Sequence, residues 1–369
     1  MRILALQPYN AMSHRAFLEG WQRNSRHTID VMALPGRHFK WRMRQAPVGF
    51  ANLLAGRSEQ PPFYDALWCT SMLDLATLRG ISREVQRLPA AVYFHENQLT
   101  YPTRYEGQRD LHFGLTNMTT ALAAIESCQS VGDPCVWWNS AYNRDSFLDA
   151  LNELIKTMPD EQPAFVVERI RRHSAVHYPG IDPVEKVPAR DSNEPPLLLW
   201  AARWEYDKGP ERFFEALELL DQRGIAFRLS VIGEQFAEAP TCFKHAQERF
   251  ADRIVRWGYQ QEKSAYEAAL SEADIIVSTS THEFFGLAVA EAVSAGCTPV
   301  LPNALAYPEV WAERAIYHDQ TAESVASAIE QALQSDLNRD QMRGAAERLA
   351  WSHVAPQLDR AIETLVSGT

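Results

Sequence analysis

Short apolar runs alternate with amphipathic stretches along this chain, and the alternation is run through twice. In the first pass, strand-like ILALQ (from Ile3), TIDVMAL (Thr28), DALWCT (Asp65), AAVYFH (Ala90) and PCVWWN (Pro134) are separated by helix-like segments such as Ser13 to Asn24 and Asp110 to Ser127. Apolar runs of this length that alternate with helices read as parallel strands, buried on both faces by the helices between them. After HYPGID (His177 to Asp182), the stretch VEKVPARDSNEPP carries charges and prolines without apolar periodicity, which reads as a linker. Then the pattern restarts with LLLWAA (Leu197), FRLSVIG (Phe227), IVRWG (Ile254), DIIVSTS (Asp274), TPVLP (Thr298) and AIYH (Ala315). The expected architecture is two doubly wound α/β domains facing each other across a cleft, with ligands beyond the C-terminal ends of the strands. The expected divisions are 1–185, 186–355 and a closing helical segment, 356–369, that packs back on either domain, the first by preference.

Size agrees with two cores. The chain has 369 residues, 46% of them hydrophobic, and single cores stop growing at roughly 250 to 300 residues. No apolar run approaches the roughly 20 residues of a membrane span, and the opening MRILALQPYN reads as a buried strand, not a signal peptide. A cytoplasmic protein without membrane insertion is therefore expected. The cysteines Cys69, Cys128, Cys135, Cys242 and Cys297 form no C-x-x-C pair, which points to buried free thiols. The net charge of −11 is unevenly spread. Residues 1–190 hold 21 basic against 19 acidic side chains and residues 191–369 hold 15 against 28, while the first fifty residues alone hold eight against two. An anionic partner such as a nucleic acid is therefore not excluded from the first half.

The segment THEFFGLAVAEAVSAGCTPVLP (Thr281 to Pro302) reads as turn, helix and strand, following another strand. Glu283 and Gly286 lie in the turn, and Gly286 permits close approach of a ligand to backbone at the start of a helix, where N–H groups favour an anion. Glu291 follows two helical turns after Glu283; an amphipathic helix with two surface glutamates would produce the same spacing. In LLLWAARWEYDKGPERFFEAL, a strand runs into Arg203 and then Lys208-Gly209, two cations suited to clamp a diphosphate, or to pair with Glu205 or Asp207. Gly233 ends the next strand in VIGE.

The order R-x4-K, strand-end Gly and E-x7-E resembles the donor-binding domain of retaining GT-B glycosyltransferases of family 4, over about residues 195–335. The resemblance implies two Rossmann-like domains, the second holding a nucleotide sugar. Arg203 and Lys208 would hold the leaving diphosphate, Glu283 the sugar and Glu291 the ribose, with Phe285, Gly286 and Leu287 beside them and no obligatory metal.

In the first half, YFHENQLTYP puts His95, Glu96, Asn97 and Gln98 directly after a strand, and VWWNSAYNRDSFL does the same with Asn139 and Ser140. With QPYNAMSHRAF near the N-terminus, these runs resemble the glycosyltransferase family that includes tRNA-queuosine α-mannosyltransferase. That resemblance implies mannose transfer from GDP-mannose, with retention, to queuosine of tRNA. It makes His95 a catalytic group beside Glu283, Arg203 and Lys208, adds Ser13 and His14 to the donor contacts, and places Glu96, Asn97, Gln98, Asn139 and Ser140 near the acceptor. One departure stands out: Ala11-Met12 occupies the place of a Gly-Gly pair before Ser13-His14. PGRHFKWRMRQ interleaves Arg37, Lys40, Arg42 and Arg44 with His38, Phe39 and Trp41, the composition expected of contacts to a single-stranded anticodon loop, or simply of a solvated basic loop. ERIRRH (Glu168 to His173) reads as the polar face of a helix. Two alternatives remain: a transferase acting on a cell-envelope lipid or saccharide, and a catalytically silent tRNA or nucleotide binder.

Overall fold

A computed structural model describes residues 1–56, 63–102, 110–128, 132–184, 194–235, 239–335 and 339–367. The chain divides into two compact units. The first takes in Met1–Gly180, with strands and helices in the order β1 (Arg2–Asn10), α1 (Met12–Asn24), β2 (Thr28–Pro35), α2 (Phe39–Ala55), β3 (Ala66–Thr70), α3 (Leu75–Ile81), β4 (Ala90–Phe94), α4 (Leu111–Ile125), β5 (Val136–Trp138), α5 (Ala141–Lys156), α6 (Phe165–Arg172) and β6 (Ser174–Val176). Its strands form a parallel sheet of order β2-β1-β3-β4-β5-β6. The central runs ALWCT and AAVYF are buried at every position, as strands covered on both faces must be. Over them lie the rings of Phe17, Trp68 and Tyr93, with Phe17 stacked on Trp68 at 5.7 Å between centroids.

The second unit, Ile181–Ala350, repeats the plan: β7 (Leu197–Ala201), α7 (Pro210–Gln222), β8 (Arg228–Ile232), α8 (Cys242–Arg249), β9 (Ile254–Gly258), α9 (Lys263–Glu272), β10 (Ile275–Val277), α10 (Leu287–Ser294), β11 (Thr298–Pro302), α11 (Tyr307–Trp311), β12 (Ile316–His318), α12 (Ala322–Gln334) and α13 (Arg339–Ala346). Its parallel sheet runs β12-β11-β10-β7-β8-β9. In both sheets the strand order reverses direction once, between β1 and β3 and between β7 and β10. That reversal opens a crevice at the C-terminal strand ends.

The boundaries differ from the expected ones at 185/186 and 355/356. Ile181 already belongs to the second unit, where its N–H donates to the Leu349 carbonyl at 2.8 Å and it bridges Ala350. Most of the expected linker, residues 185–193, lies outside the described residues. The closing helix α14 (Trp351–Ser367) starts before Pro356, because the apolar stripe of Trp351, Val354, Ala355, Leu358, Ile362 and Leu365 extends upstream of it and is buried in the first unit's core. Burial of each such large side chain contributes roughly 1.5 to 3 kcal/mol. Asp359, 1% exposed, accepts from Trp21 Nε1 at 2.9 Å, Ser25 Oγ at 2.6 Å and the Arg26 N–H at 2.8 Å. No helix among the described residues is long and apolar enough to cross a membrane.

Candidate active site

In the second unit the reversal falls between β7 and β10, and the two loops leaving those strand ends carry the residues that the sequence singles out. Lys208 is buried, 6% exposed, at the end of a tight turn closed by Gly209. Its Nζ donates to the His282 carbonyl at 2.8 Å and to Glu283 Oε2 at 3.2 Å, and lies 3.2 Å from Asp207 Oδ2. Burial works against the Lys208 charge, but Glu283 and Asp207 outweigh it and the ammonium titrates above its ordinary range. Conversely, burial pushes Glu283 up and Lys208 more than reverses it, so that carboxyl ends below its ordinary value. Arg203 Nη1 meets Glu205 Oε2 at 2.9 Å. Both cations are thus paired with carboxylates, as one reading of the sequence has it, and both stand at a strand-end crevice. His282, packed beside Lys208, is pushed by burial down to about 4 and stays neutral. The sequence offers Asp207 as a partner for these cations, and the structure adds that this carboxylate, 3% exposed, balances a buried ammonium.

Glycines allow backbone segments to close on this crevice. Gly233 has φ +152° and an added Cβ would lie 1.7 Å from the Ala202 carbonyl oxygen; Gly286 caps α10 at φ +90°, where a Cβ would meet the Tyr307 ring at 2.7 Å. Phe285 is buried, and Leu287 opens α10 half-buried. Glu291 faces α9, where Tyr266 donates its hydroxyl to Oε2 at 2.6 Å, and burial raises the carboxyl above its ordinary range.

In the first unit, Ser13 and His14 follow β1, and His95 to Gln98 follow β4. The Ala11-Met12 departure lands on a special conformation: Met12 has φ +45°, which favours glycine, and its side chain turns out to solvent, 49% exposed. His14 Nε2 donates to Glu96 Oε2 at 3.1 Å, and its ring lies 4.2 Å from that of His95. Burial, aided by the neighbouring His14, holds His95 well below the ordinary histidine range, so that ring is neutral. His14 Nδ1 and His95 Nε2 are buried and meet no partner among the described residues.

The amides behind this pair face inward. Asn139 Nδ2 donates to the His95 carbonyl at 2.7 Å, Asn143 Nδ2 to Asn139 Oδ1 at 2.9 Å and to the Phe94 carbonyl at 3.1 Å, and Asn97 Nδ2 to Asn143 Oδ1 at 2.9 Å. Asn97 also accepts from the N–H groups of Leu99 and Thr100, and Ser140 accepts from the Asn143 N–H as the cap of α5. Asn97, Asn139 and Ser140 therefore shape the loop. Asn143, which sequence reading did not single out, is the hub that joins them. Gln98 and Glu96 are half-buried at the loop's outer side.

Only the first part of the basic segment, Gly36 to His38, is the expected loop; from Phe39 onward it is the start of α2. Apolar Met43, Ala46, Pro47, Phe50 and Leu54 recur at helical spacing and seat it on the unit. Arg42 Nε is held by the Pro35 carbonyl at 3.1 Å, and Arg44 pairs with Asp110 at 3.1 Å above the Phe113 ring. Arg37, Lys40 and Trp41 remain exposed, Trp41 at 62%.

Residues 2–181 match the family model described as tRNA-queuosine alpha-mannosyltransferase N-terminal, and residues 184–349 match glycosyl transferases group 1. Over 334 residues the chain is 32% identical to the tRNA-queuosine alpha-mannosyltransferase of Drosophila melanogaster, covering 87% of this chain and 84% of that one. It is 26% identical over 185 residues to the GDP-mannose:cellobiosyl-diphosphopolyprenol alpha-mannosyltransferase of Xanthomonas oryzae pv. oryzae, a match over 47% of this chain and 48% of that one. Among solved structures, sucrose-phosphate synthase from Thermosynechococcus elongatus superposes over 100% of both chains with a TM-score of 0.73 at 14% identity, which establishes the GT-B fold. Similarity that runs through both units, at a third of the residues, leaves one conclusion: this chain is a glycosyltransferase and belongs to the tRNA-queuosine alpha-mannosyltransferase family.

Proposed function

We propose that this chain transfers mannose from GDP-mannose to the queuosine nucleoside of tRNA, with retention at the anomeric carbon. The observation that carries the reading is the extent of the match to the Drosophila enzyme, which includes the half whose family model is specific to that activity. The charges at the β7–β10 crevice suit a nucleotide sugar. Lys208 and Arg203 would exchange their present carboxylates for diphosphate oxygens, leaving Glu283 for a sugar hydroxyl and Glu291 for the ribose. Cations fixed where a nucleoside diphosphate gathers negative charge lower the barrier electrostatically, and the reading needs no metal for that purpose. His95, neutral and buried, orients the sugar. Arg37, Lys40 and Trp41 supply charge and a stacking face for RNA, which fits an acceptor found in the cytoplasm.

The test is incubation of the purified protein with GDP-mannose and queuosine-containing tRNA, followed by mass spectrometry of the nucleosides. The expected product is queuosine enlarged by one hexose and cleaved by α-mannosidase. Transfer to a lipid-linked saccharide, with tRNA left unchanged, would establish the alternative in which this chain shares the acceptor class named for the Xanthomonas relative.

A further inference from the structure

Both cations of the second unit's crevice are paired, but not alike. Lys208 is buried between Asp207 and Glu283, whereas Arg203 Nη1 meets Glu205 Oε2 at 2.9 Å in a pair whose side chains are 32% and 31% exposed. An ion pair that open to solvent is weak enough for a ligand to part. The backbone nevertheless keeps Glu205 in place. Its N–H donates to the Arg203 carbonyl at 2.8 Å, and its own carbonyl accepts from the Lys208 N–H at 3.2 Å, so the residue is tied into the turn on both sides. Trp204, between the paired residues, donates its N–H to the Glu234 carbonyl at 2.9 Å and lies flat on Phe243 of α8 at 3.9 Å between centroids, which anchors the turn. Among the described residues, the charged groups facing the Glu205 carboxyl are Arg203, Lys208 and Asp207 from its own turn and Glu234 from the end of β8. Burial raises that carboxyl above its ordinary range; Asp207 and Glu234 add to the rise, and Arg203 and Lys208 do not cancel it. A tethered carboxylate therefore sits on the guanidinium that a diphosphate would need, and it gives up its charge more readily than an ordinary glutamate.

We propose that Glu205 is a positioning residue that sets donor affinity: its carboxylate holds Arg203 before the donor arrives, competes with the diphosphate for the same guanidinium, and takes Arg203 back when the nucleoside diphosphate leaves. The proposal rests on the reading that Arg203 and Lys208 hold the diphosphate of the donor. Once Arg203 has turned to phosphate, Glu205 has lost its cation and faces added negative charge, and both changes favour its protonated form. Donor binding therefore takes up a proton, and affinity rises as pH falls through the titration of Glu205. Neighbouring carboxyls act in another range or with another sign. Glu283 ends below the ordinary carboxylate range, so it titrates at more acid pH. Glu291, raised by burial, would accept from the ribose, and its protonation would weaken binding.

Calorimetric titration with GDP-mannose between about pH 5 and pH 8 tests this, since the diphosphate of a nucleotide sugar has no secondary ionisation in that range to obscure the profile. In the wild type, affinity should fall as pH rises, and the binding heat should differ between buffers of unlike ionisation enthalpy in the sense of proton uptake. Glu205→Gln, which keeps the shape and removes the charge, should bind roughly three- to tenfold tighter at the alkaline end, lower the donor KM by a similar factor and flatten the profile. Glu205→Ala should do the same and serves if the amide disturbs the turn; thermal unfolding of each variant without ligand checks the fold. In an Arg203→Ala background most of the gain should vanish, because no guanidinium is left to release. The proposal is overturned if Glu205→Gln and Glu205→Ala bind no tighter than the wild type, if the pH profile survives the substitution, or if the full gain persists without Arg203, which would make Glu205 a plain repulsive charge. Failure of the wild type to bind GDP-mannose overturns the donor reading and the proposal with it, whereas binding without these effects overturns the role of Glu205 alone.

Discussion

A buried lysine wedged between two carboxylates is held by charges that a ligand must displace, and that decides what its removal does. In Lys208→Ala the ammonium that should meet the leaving diphosphate is gone, and Asp207 and Glu283 face each other without their cation. Loss of a preorganised donor to developing negative charge costs about 100- to 1000-fold in rate. Arg203→Ala should cost a similar factor and less stability, since the Arg203 side chain is 32% exposed and its partner Glu205 31%. Steady-state kinetics with the nucleotide sugar checks both, and turnover near wild type in either would remove that cation from the donor site. The same pair sets a pH dependence. Glu283 ends below its ordinary range because Lys208 outweighs its burial. Its contribution to stability is therefore present above the ordinary carboxylate range and is lost as pH falls through its depressed value. Glu283→Gln should flatten the acid side of a plot of Tm against pH while leaving the neutral region's slope alone. An acid side as steep as the wild type's would assign the acid sensitivity to other carboxyls. R-x4-K and E-x7-E are legible in sequence because each spans a few residues of one loop or helix. The His14–Glu96 and Tyr266–Glu291 bonds are not, because only the sheet order brings their partners together.

Elements were legible where one periodicity dominates, and misread where polar residues sit on a buried helix's outer face. The strands of both sheets are apolar runs that any reading would find. The start of α2 reads as a loop because the run from Arg37 to Arg44 hides the stripe of Met43, Ala46, Phe50 and Leu54, which only becomes periodic further on. The sequence understates the reach of α14 for a related reason: Pro356 suggests a helix start, yet it stands inside the helix, where it removes one backbone bond and the apolar stripe on both sides of it keeps the helix on the core. That packing is close. An added Cβ at Gly20 or Gly180 would lie 2.1 or 2.3 Å from the Trp351 ring, so the first unit's chain is shaped around this helix. Asp359 is the polar pin of the contact. Asp359→Ala leaves the buried Trp21 N–H without its acceptor and removes two further bonds, which should cost about 2 to 4 kcal/mol at roughly 1 to 3 kcal/mol for a buried group left unsatisfied. Urea unfolding followed by tryptophan fluorescence measures it. A loss below about 0.5 kcal/mol, the range of an ordinary surface substitution, would show that α14 is held by its apolar stripe alone.

Across the whole molecule, charge separates the two halves of the chain, and the first fifty residues concentrate the positive part, with eight basic side chains against two acidic. Helix α2 begins among these cations, with no acidic residue in its first turn and no side-chain cap. Positive charge at a helix N-terminus opposes the dipole, at about 0.3 to 1 kcal/mol for each group close to the end, so folding alone does not favour this arrangement. An RNA backbone would. The structure also sorts the cluster. Arg42 and Arg44 are held by Pro35 and Asp110, whereas Arg37 and Lys40 are exposed next to a Trp41 that is 62% exposed. If these two cations each neutralise a phosphate, replacing both with Ala should lower the slope of log K against log salt by about 1.4 to 1.8, at roughly 0.7 to 0.9 per contact. Adding Arg42→Ala and Arg44→Ala should change that slope little further. Trp41→Ala should weaken binding by about 1 to 3 kcal/mol through lost stacking while leaving the slope in place. Filter binding of queuosine-containing tRNA at several salt concentrations, with GDP-mannose affinity as the control that stays constant, separates the cases. Equal slopes for the wild type and the Arg37/Lys40 double variant would take α2 out of the RNA interface, and a slope that falls only when Arg42 and Arg44 are also removed would mean that both leave their present partners to reach the phosphates.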